Sequence, residues 1–202
     1  MQTQLSGSDN STHEKRLAIF ASGSGTNAEA IMTHFANHPL VAVAALLSNN
    51  PHAYALQRAQ KFNVPTFVFN RHQFKESHEV LNWLTEKKIT HLVLAGFMWL
   101  VPDYLVKAYA GRIINIHPAL LPRYGGKGMY GMHVHQAVKA AGEKETGITI
   151  HLVNERYDEG KILLQARVKL TGTETAEEIA AKVHELEYRH YPDVIEKWAR
   201  NS

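Results

Sequence analysis

The fold of this chain is decided by residues 16–30, which read RLAIFASGSGTNAEA. An apolar run typical of a buried strand comes first, a glycine-rich turn follows, and helical periodicity begins at Asn27. The same strand-then-helix unit recurs along the chain, with further strand-like runs that read LVAVAALLS, TFVFN, HLVLAGF and RIINIH. Strands that alternate with helices predict a mostly parallel sheet with helices on both faces.

The intervening segments have helical spacing of their apolar residues and predict helices over residues 27–36, 53–62, 74–87 and 103–110. The alternation stops after Gly142, where TGITIHLVN and KILLQARVKL flank the turn-like ERYDEG. This arrangement predicts an antiparallel hairpin, followed by a last helix over residues 175–198. The predicted fold class is therefore α/β, a Rossmann-like twisted sheet with a C-terminal antiparallel hairpin and helix.

Size and composition narrow the function. The chain has 202 residues, 45% hydrophobic content, no cysteine and a formal net charge of +3. Its longest apolar stretch, LVLAGFMWLV, is far shorter than the roughly 20 residues of a membrane-spanning helix, so we expect a soluble, cytoplasmic protein. Residues 1–15 are polar and aperiodic and predict a flexible tail, and residues 16–202 predict a single domain. The dispersed positive charge favours small anionic substrates over nucleic acid.

Two polar residues, Asn115 and His117, lie near the end of the apolar run RIINIHP. The period-2 geometry of a strand sends Asn115 and His117 to one face, at the carboxyl edge of the sheet where ligands of open α/β folds bind. Pro118 and Pro122 stiffen the connection that follows. A satisfied, half-buried histidine at a strand end remains an alternative for this segment on its own.

The glycine-rich turn SGSGTN precedes the first helix, so its backbone N–H groups and the helix dipole predict an anion site. The spacing of Gly23, Gly25 and Ala28 also fits a relaxed dinucleotide fingerprint. However, the second strand ends in LLSNN, without the acidic residue that NAD binding requires. A lone phosphate is the favoured ligand, while an NADP site and a plain turn without a ligand stay open.

The hairpin TGITIHLVNERYDEG carries polar residues on one strand face and in its turn. Thr149 and His151 share that face, and Asp158 lies in the turn before Gly160. A carboxylate there can reach a histidine on the neighbouring strand, raise its pKa and orient its ring. Simple turn chemistry is the alternative for Asp158.

Thirteen histidines invite a metal interpretation. His34 and His38 are four apart but straddle a predicted helix end, and His133 and His135 fit either one strand face or the start of a helix. Neither pair stands in a HExxH-type context, so the sequence predicts no metal site.

Taken together, the segments FASGSGTN, VLAGFMWLVP, INIHPALLP, TGITIHLVNERYDEGKILLQA and VHELEYRHYP occur in one order over residues 16–198. They resemble the phosphoribosylglycinamide formyltransferases of purine biosynthesis. Asn-x-His-Pro with a downstream Asp-x-Gly is specific to folate-dependent formyl transfer and hydrolysis. The resemblance implies a cytoplasmic enzyme that moves a formyl group from 10-formyltetrahydrofolate, its co-substrate, to the amine of 5'-phosphoribosylglycinamide.

The resemblance also implies roles for particular residues. Asn115, His117 and Asp158 correspond to the catalytic trio, and direct transfer needs no metal and no ATP. Thr149 and His151 are expected to support that trio. Binding of the ribonucleotide is implied for Gly25, Thr26, Asn27 and Glu187. Binding of the folate is implied for Met98, Trp99, Leu100, Val101, Asn115, Asn154, Glu155, Arg156, Tyr157 and Asp158.

The chain departs from the family pattern after Pro122, where RYGGKGMYGMHVH is longer than the usual link. We expect the added glycine-rich stretch, residues 124–132, to flex beside the active site, which leaves the contacts of His133 open.

Related activities are less compatible with the sequence. Methionyl-tRNA formyltransferases carry a further C-terminal domain, for which this chain leaves no room after its last helix. Formyltetrahydrofolate deformylases place a second histidine where this chain has Pro118 and add an N-terminal domain. A binding module without catalysis would not need the side chains of Asn115, His117 and Asp158 to converge. We therefore expect small-molecule substrates, no nucleic acid, no membrane, and a monomer or homodimer.

Overall fold

The computed structural model describes residues 14–156 and 158–202, so residues 1–13 of the predicted tail lie outside the described part. The described residues form seven strands and seven helices. The strands are β1 (Lys15–Phe20), β2 (Val41–Ser48), β3 (Thr66–Val68), β4 (His91–Leu94), β5 (Ile113–His117), β6 (Glu145–Leu152) and β7 (Ile162–Lys169). The helices are α1 (Thr26–Phe35), α2 (Tyr54–Lys61), α3 (Arg71–Lys75), α4 (Glu79–Glu86), α5 (Asp103–Ala108), α6 (Met132–Ala140) and α7 (Ala176–Arg200).

All the strands belong to one sheet, in the order β3-β2-β1-β4-β5-β6-β7. The pairs from β3 to β5 are parallel, whereas β6 runs antiparallel to β5 and β7 antiparallel to β6. The predicted α/β, Rossmann-like fold with its C-terminal antiparallel hairpin is confirmed. The first strand begins at Lys15, one residue before the predicted start of the domain.

Helices cover both faces of the sheet and enclose two main apolar clusters. One cluster packs α1, α2 and α7 against one face and contains Ile114 and Ile116. The other packs α3, α4 and α5 against the opposite face and contains Ile113. Successive residues of β5 thus point to opposite layers, as strand geometry requires. The side chains of Asn115 and His117 belong to the layer of Ile113.

The predicted single helix over residues 74–87 is wrong, because the structure has two helices there. The first, α3, begins early, with a capping box in which Asn70 and Gln73 satisfy each other's backbone N–H groups. The chain then breaks at His78, which has a left-handed φ of 56°. In one continuous helix, Phe74 and Val80 would point about 120° apart. The break lets both side chains be fully buried in the same cluster.

The last helix, α7, packs against one face of the sheet and is hydrogen-bonded to two of its strands. It begins at a capping box between Thr175 and Glu178, as expected for a helix start. The fully buried hydroxyl of Tyr191 donates to the carbonyl of Leu94 at 2.8 Å and approaches that of Ile114 at 3.3 Å. Through this residue α7 contacts β4 and β5 together. No helix within residues 14–156 and 158–202 combines the length and apolar character needed to span a membrane.

A buried histidine predicts loss of stability in acid. His91 is 1% exposed, and burial, with the nearby charges of Lys15 and Arg112, lowers its pKa to about 4. The unfolded chain takes up a proton below the ordinary value of 6.5, whereas the folded chain does not. The stabilising difference is therefore present above pH 6.5 and is lost as pH falls toward 4, by as much as about 3 kcal/mol.

This dependence is measurable by urea unfolding at several pH values. We expect the free energy of unfolding of His91→Asn to change less between pH 6.5 and pH 4 than that of the wild type. Other buried histidines are present in both proteins and cancel in the comparison. Identical pH dependence in the two proteins would contradict the assignment.

Candidate active site

The predicted site residues at the end of β5 lie on one face of the sheet. Antiparallel pairing with β6 places Asn115 opposite His151 and His117 opposite Thr149. Residues directly opposite in such a pair share a face. The sheet therefore brings together two pairs of polar residues that are more than thirty positions apart in the chain.

Three of these residues, Asn115, His117 and His151, border a cavity of about 490 Å³ at the carboxyl ends of β1, β4 and β5. This edge is the one where open α/β sheets bind ligands. Of the predicted site residues, the following line the cavity: Gly25, Thr26, Asn27, Met98, Trp99, Leu100, Val101, Asn115, His117, His151, Arg156, Asp158 and Glu187. Asn154, Glu155 and Thr149 do not line it, and Tyr157 lies outside the described residues.

Asp158 lies between two buried histidines. Its Oδ2 is 3.7 Å from Nδ1 of His117, and its Oδ1 is 3.5 Å from Nε2 of His151. The backbone N–H of Gly126 also donates to Oδ2 at 2.9 Å. Burial alone would raise the pKa of Asp158, but the neighbouring His117 and the N–H of Gly126 lower it. The carboxyl group is therefore ionised at neutral pH.

The charge state of His117 follows from opposing effects. Burial lowers the pKa of His117 below its ordinary value, and His151 acts in the same direction, while Asp158 and the carbonyl of Tyr124 raise it. Asp158 thus favours the protonated ring, as the sequence predicts, but burial outweighs it. The neutral ring therefore predominates, and added negative charge in the cavity favours protonation.

His151 orients the amide of Asn115. Its Nδ1 is 2.9 Å from the carbonyl oxygen of Leu152 and therefore carries the proton. Its Nε2 then accepts a hydrogen bond from Nδ2 of Asn115 at 3.2 Å. The second hydrogen of that amide nitrogen is left for the cavity, so Asn115 can act as a fixed N–H donor.

Thr149 supports the wall of the site instead of lining it. Its buried hydroxyl donates to the carbonyl of Ala119 at 2.7 Å. The same oxygen accepts from the N–H of Leu121 and from the amide of Gln165, both at 3.0 Å. Thr149 thereby fixes the segment that follows His117.

The glycine-rich turn forms the other side of the cavity. Asn27, at the start of α1, donates from Nδ2 to Glu187 of α7 at 2.8 Å, while its buried Oδ1 has no partner among the described residues. Burial raises the pKa of Glu187 to about 7. The backbone N–H groups of the first turn of α1 are available to an anion, and Asn27 and Glu187 offer polar atoms beside it.

Several cavity residues were not predicted from the sequence. Residues 126–131 line the cavity, as do His135 and His184. The motif HVH lies in the first turns of α6, so the strand alternative for His133 and His135 is wrong. His135 is buried and its Nδ1 has no partner among the described residues. The sequence places this motif near the site but does not indicate which histidine faces inward.

The other histidine pair contacts a carboxylate. Nε2 of His34 in α1 is 3.0 Å from Oε2 of Glu196, and Nε2 of His38, just after α1, is 3.4 Å from Oε1 of the same residue in α7. Within the described part of the chain, no cluster of three or more histidine or carboxylate side chains is arranged to hold a metal ion.

A cavity with a fixed amide, a histidine paired with a carboxylate and an anion-binding turn, at the edge of a mixed α/β sheet, defines a site for transfer of a group between small molecules. Residues 15–195 match the family described as formyl transferase. The chain belongs to this family.

Relatives within the family are similar over most of their length. The phosphoribosylglycinamide formyltransferase of Bacillus subtilis is 39% identical over 190 residues, which cover 91% of this chain and 94% of the relative. The chloroplastic enzyme of the same name from Arabidopsis thaliana is 36% identical over 95% of this chain and 68% of its own length. The crystal structure of the phosphoribosylglycinamide formyltransferase from Anaplasma phagocytophilum has a TM-score of 0.85 and 33% identity, and covers 93% of this chain and 87% of its own.

Gly25 is required by packing as well as by any bound anion. Its φ of 72° is left-handed, and a Cβ added there would lie 2.5 Å from Cβ of Ala55 in α2. Gly25→Ala is therefore expected to lower the free energy of unfolding by about 2 kcal/mol or more. Gly23→Ala is the matched control, because nothing lies within 4 Å of its added Cβ, and a change within about 0.5 kcal/mol is expected. Urea unfolding of both variants measures the difference, and equal stabilities would refute this reason for Gly25.

Proposed function

We propose that this chain is a phosphoribosylglycinamide formyltransferase, which transfers the formyl group of 10-formyltetrahydrofolate to the amine of 5'-phosphoribosylglycinamide. The observation that carries the proposal is the convergence of Asn115, His117 and Asp158 on one cavity that also reaches the glycine-rich turn. The names of the relatives support the same activity.

The reaction begins when the amine nitrogen of the ribonucleotide attacks the formyl carbon. A C–N bond forms, the carbonyl π electrons move to oxygen, and a tetrahedral intermediate with a negative oxygen results. Asn115 supplies an N–H to that oxygen from an amide already oriented by His151. Donors fixed before the reaction stabilise the intermediate without having to reorganise.

His117 is the second donor, and its protonation is coupled to the charge of the intermediate. Burial favours the neutral ring, and the ionised Asp158 beside it favours the imidazolium once the oxygen carries charge. The ring takes this proton from water and returns it to water when the intermediate collapses. Asp158 also accepts the proton that the attacking amine loses, through water, and passes it to the folate nitrogen as the second C–N bond breaks. No metal, ATP or covalent enzyme intermediate is required.

The two substrates occupy different parts of the cavity. The ribonucleotide phosphate lies on the N–H groups of Gly25, Thr26 and Asn27, and Glu187 contacts its ribose or amide portion. The folate lies along residues 98–101 and near Arg156, and the remaining predicted folate contacts come from residues 154–158. The enzyme acts in the cytoplasm, as a monomer or homodimer, and needs neither nucleic acid nor membrane.

An ultraviolet assay tests the activity. The purified chain is mixed with 10-formyltetrahydrofolate, with and without the ribonucleotide, and the release of tetrahydrofolate is followed. Product that depends on the ribonucleotide supports the transferase, whereas product that appears without it indicates a hydrolase. Calorimetry with NADPH is the companion measurement, and we expect no detectable binding.

Loss of either oxyanion donor is expected to reduce turnover. His117→Ala and Asn115→Ala should each lower kcat on the order of 10²-fold or more, because one missing donor typically costs that much. Binding of the ribonucleotide, measured by calorimetry, should be retained because its phosphate lies elsewhere in the cavity. Near-normal turnover in either variant would show the catalytic assignment to be incorrect.

Asp158→Asn separates an electrostatic role from turn chemistry. Asp158 has a left-handed φ of 54°, which asparagine also tolerates, and the amide oxygen still accepts from Gly126. The backbone is therefore preserved while the charge is removed. We expect the pKa of His117 to fall further and kcat to drop on the order of 10²-fold, with both substrates still bound.

The matched control is Glu159→Gln, which makes the same chemical change at the next, exposed position of the turn. Its activity should stay within a few-fold of the wild type. NMR titration of His117 accompanies the kinetics. An unchanged His117 pKa together with normal turnover in Asp158→Asn would leave Asp158 a turn residue only.

A further inference from the structure

The segment after Pro122 folds back onto two of the proposed catalytic residues through its backbone. The carbonyl oxygen of Tyr124 is 2.7 Å from Nε2 of His117. Two residues later, the N–H of Gly126 donates to Asp158. The start of the glycine-rich stretch thus contacts both members of the histidine–carboxylate pair, although its own side chains take no part in these contacts.

This backbone conformation is costly and is held by a side chain. Tyr124 has a left-handed φ of 59°, which costs an aromatic residue about 1–2 kcal/mol. Its hydroxyl donates to Oε1 of Glu143 at 2.6 Å, and the guanidinium of Arg123 pairs with the same carboxylate. Glu143 follows α6, and its backbone N–H bonds to the carbonyl of Val138 in this helix at 3.4 Å. The carboxylate therefore holds two consecutive residues in the orientation that presents the Tyr124 carbonyl to His117.

The contact determines which ring nitrogen of His117 is available. A carbonyl oxygen only accepts, so Nε2 carries a proton and donates it to Tyr124. Nδ1 lies 3.7 Å from Asp158, beyond hydrogen-bonding distance, and has no other hydrogen-bond partner among the described residues. The bond made at one nitrogen of an imidazole fixes the tautomer and leaves the other nitrogen for chemistry.

We infer that Tyr124 and Glu143 are positioning residues for His117: together they hold the Tyr124 carbonyl on Nε2, so that Nδ1 is the nitrogen that takes up a proton and donates it to the reaction intermediate beside Asp158. This inference rests on the proposed function for its chemical consequence. The arrangement of the ring itself is testable without any substrate.

Tyr124→Phe removes only the hydroxyl that binds Glu143. We expect kcat to fall on the order of 10-fold, because a poorly oriented catalytic group slows the chemical step. The KM values of both substrates should stay within about two-fold, since neither residue is proposed to bind them. Tyr109→Phe is the matched control. It loses a buried hydrogen bond from its hydroxyl to the carbonyl of Ile89, at the amino ends of β4 and β5 and away from the cavity, and its kcat should be unchanged.

Variants of Glu143 test whether Tyr124 and Glu143 act together. Glu143→Gln keeps an acceptor for the hydroxyl and should retain kcat within about three-fold, whereas Glu143→Ala should reproduce the loss seen in Tyr124→Phe. The double variant Tyr124→Phe/Glu143→Ala should be no slower than the slower single variant. Additive losses would mean that the two residues act independently and would overturn the inference.

Nitrogen NMR of the His117 ring provides the readout that is independent of activity. In the wild type we expect the neutral ring to be the Nε2–H tautomer, and in Tyr124→Phe a mixture of both tautomers with faster exchange of the Nε2 proton. A neutral Nδ1–H tautomer in the wild type overturns the inference, as does an unaltered ring in Tyr124→Phe. If the wild type shows the expected tautomer but transfers no formyl group, the proposed function fails while the positioning of the ring stands.

Discussion

The antiparallel register between β5 and β6 is the constraint on which the site depends. It sets His151 against Asn115 and Thr149 against His117. A slip of β6 by one residue would turn His151 and Thr149 into the apolar layer of α1 and α7, away from Asn115 and His117. Gly147 helps to exclude such a slip, because a Cβ there would lie 1.9 Å from the carbonyl oxygen of Ala166 in β7. The close approach of β6 and β7 thereby fixes the strand that orients the catalytic groups.

The site places one negative charge between two buried histidine rings, and burial tends to keep the ring of His117 neutral. Asp158 is within 3.7 Å of His117 and 3.5 Å of His151, and His117 is only 4% exposed. In such surroundings the histidine gains its charge when the chemistry supplies a compensating one. The carboxylate is held by a backbone N–H and a left-handed turn, so it does not need to move for that change.

The sequence reveals the parts of this molecule that follow from local periodicity. Alternating strands and helices predict the sheet, and the period of two in a strand correctly places Asn115 and His117 on one face. The break at His78 and the turn of the chain at Tyr124 depend on left-handed backbone at non-glycine residues, which local patterns do not signal. The inward orientation of His135 and His184 depends on how α6 packs against α7, a contact between distant segments.

The last helix, α7, is synthesised last but contacts residues from the start of the domain. Asn27 emerges from the ribosome early, and its partner Glu187 follows 160 residues later, together with the Tyr191 that bonds to the carbonyls of β4 and β5. A nascent chain without α7 has its glycine-rich turn but lacks Glu187 beside it. Ligand binding stabilises only the state that binds it. Under the proposed function, the nucleotide therefore stabilises the finished chain but gives little protection to one that is still being synthesised.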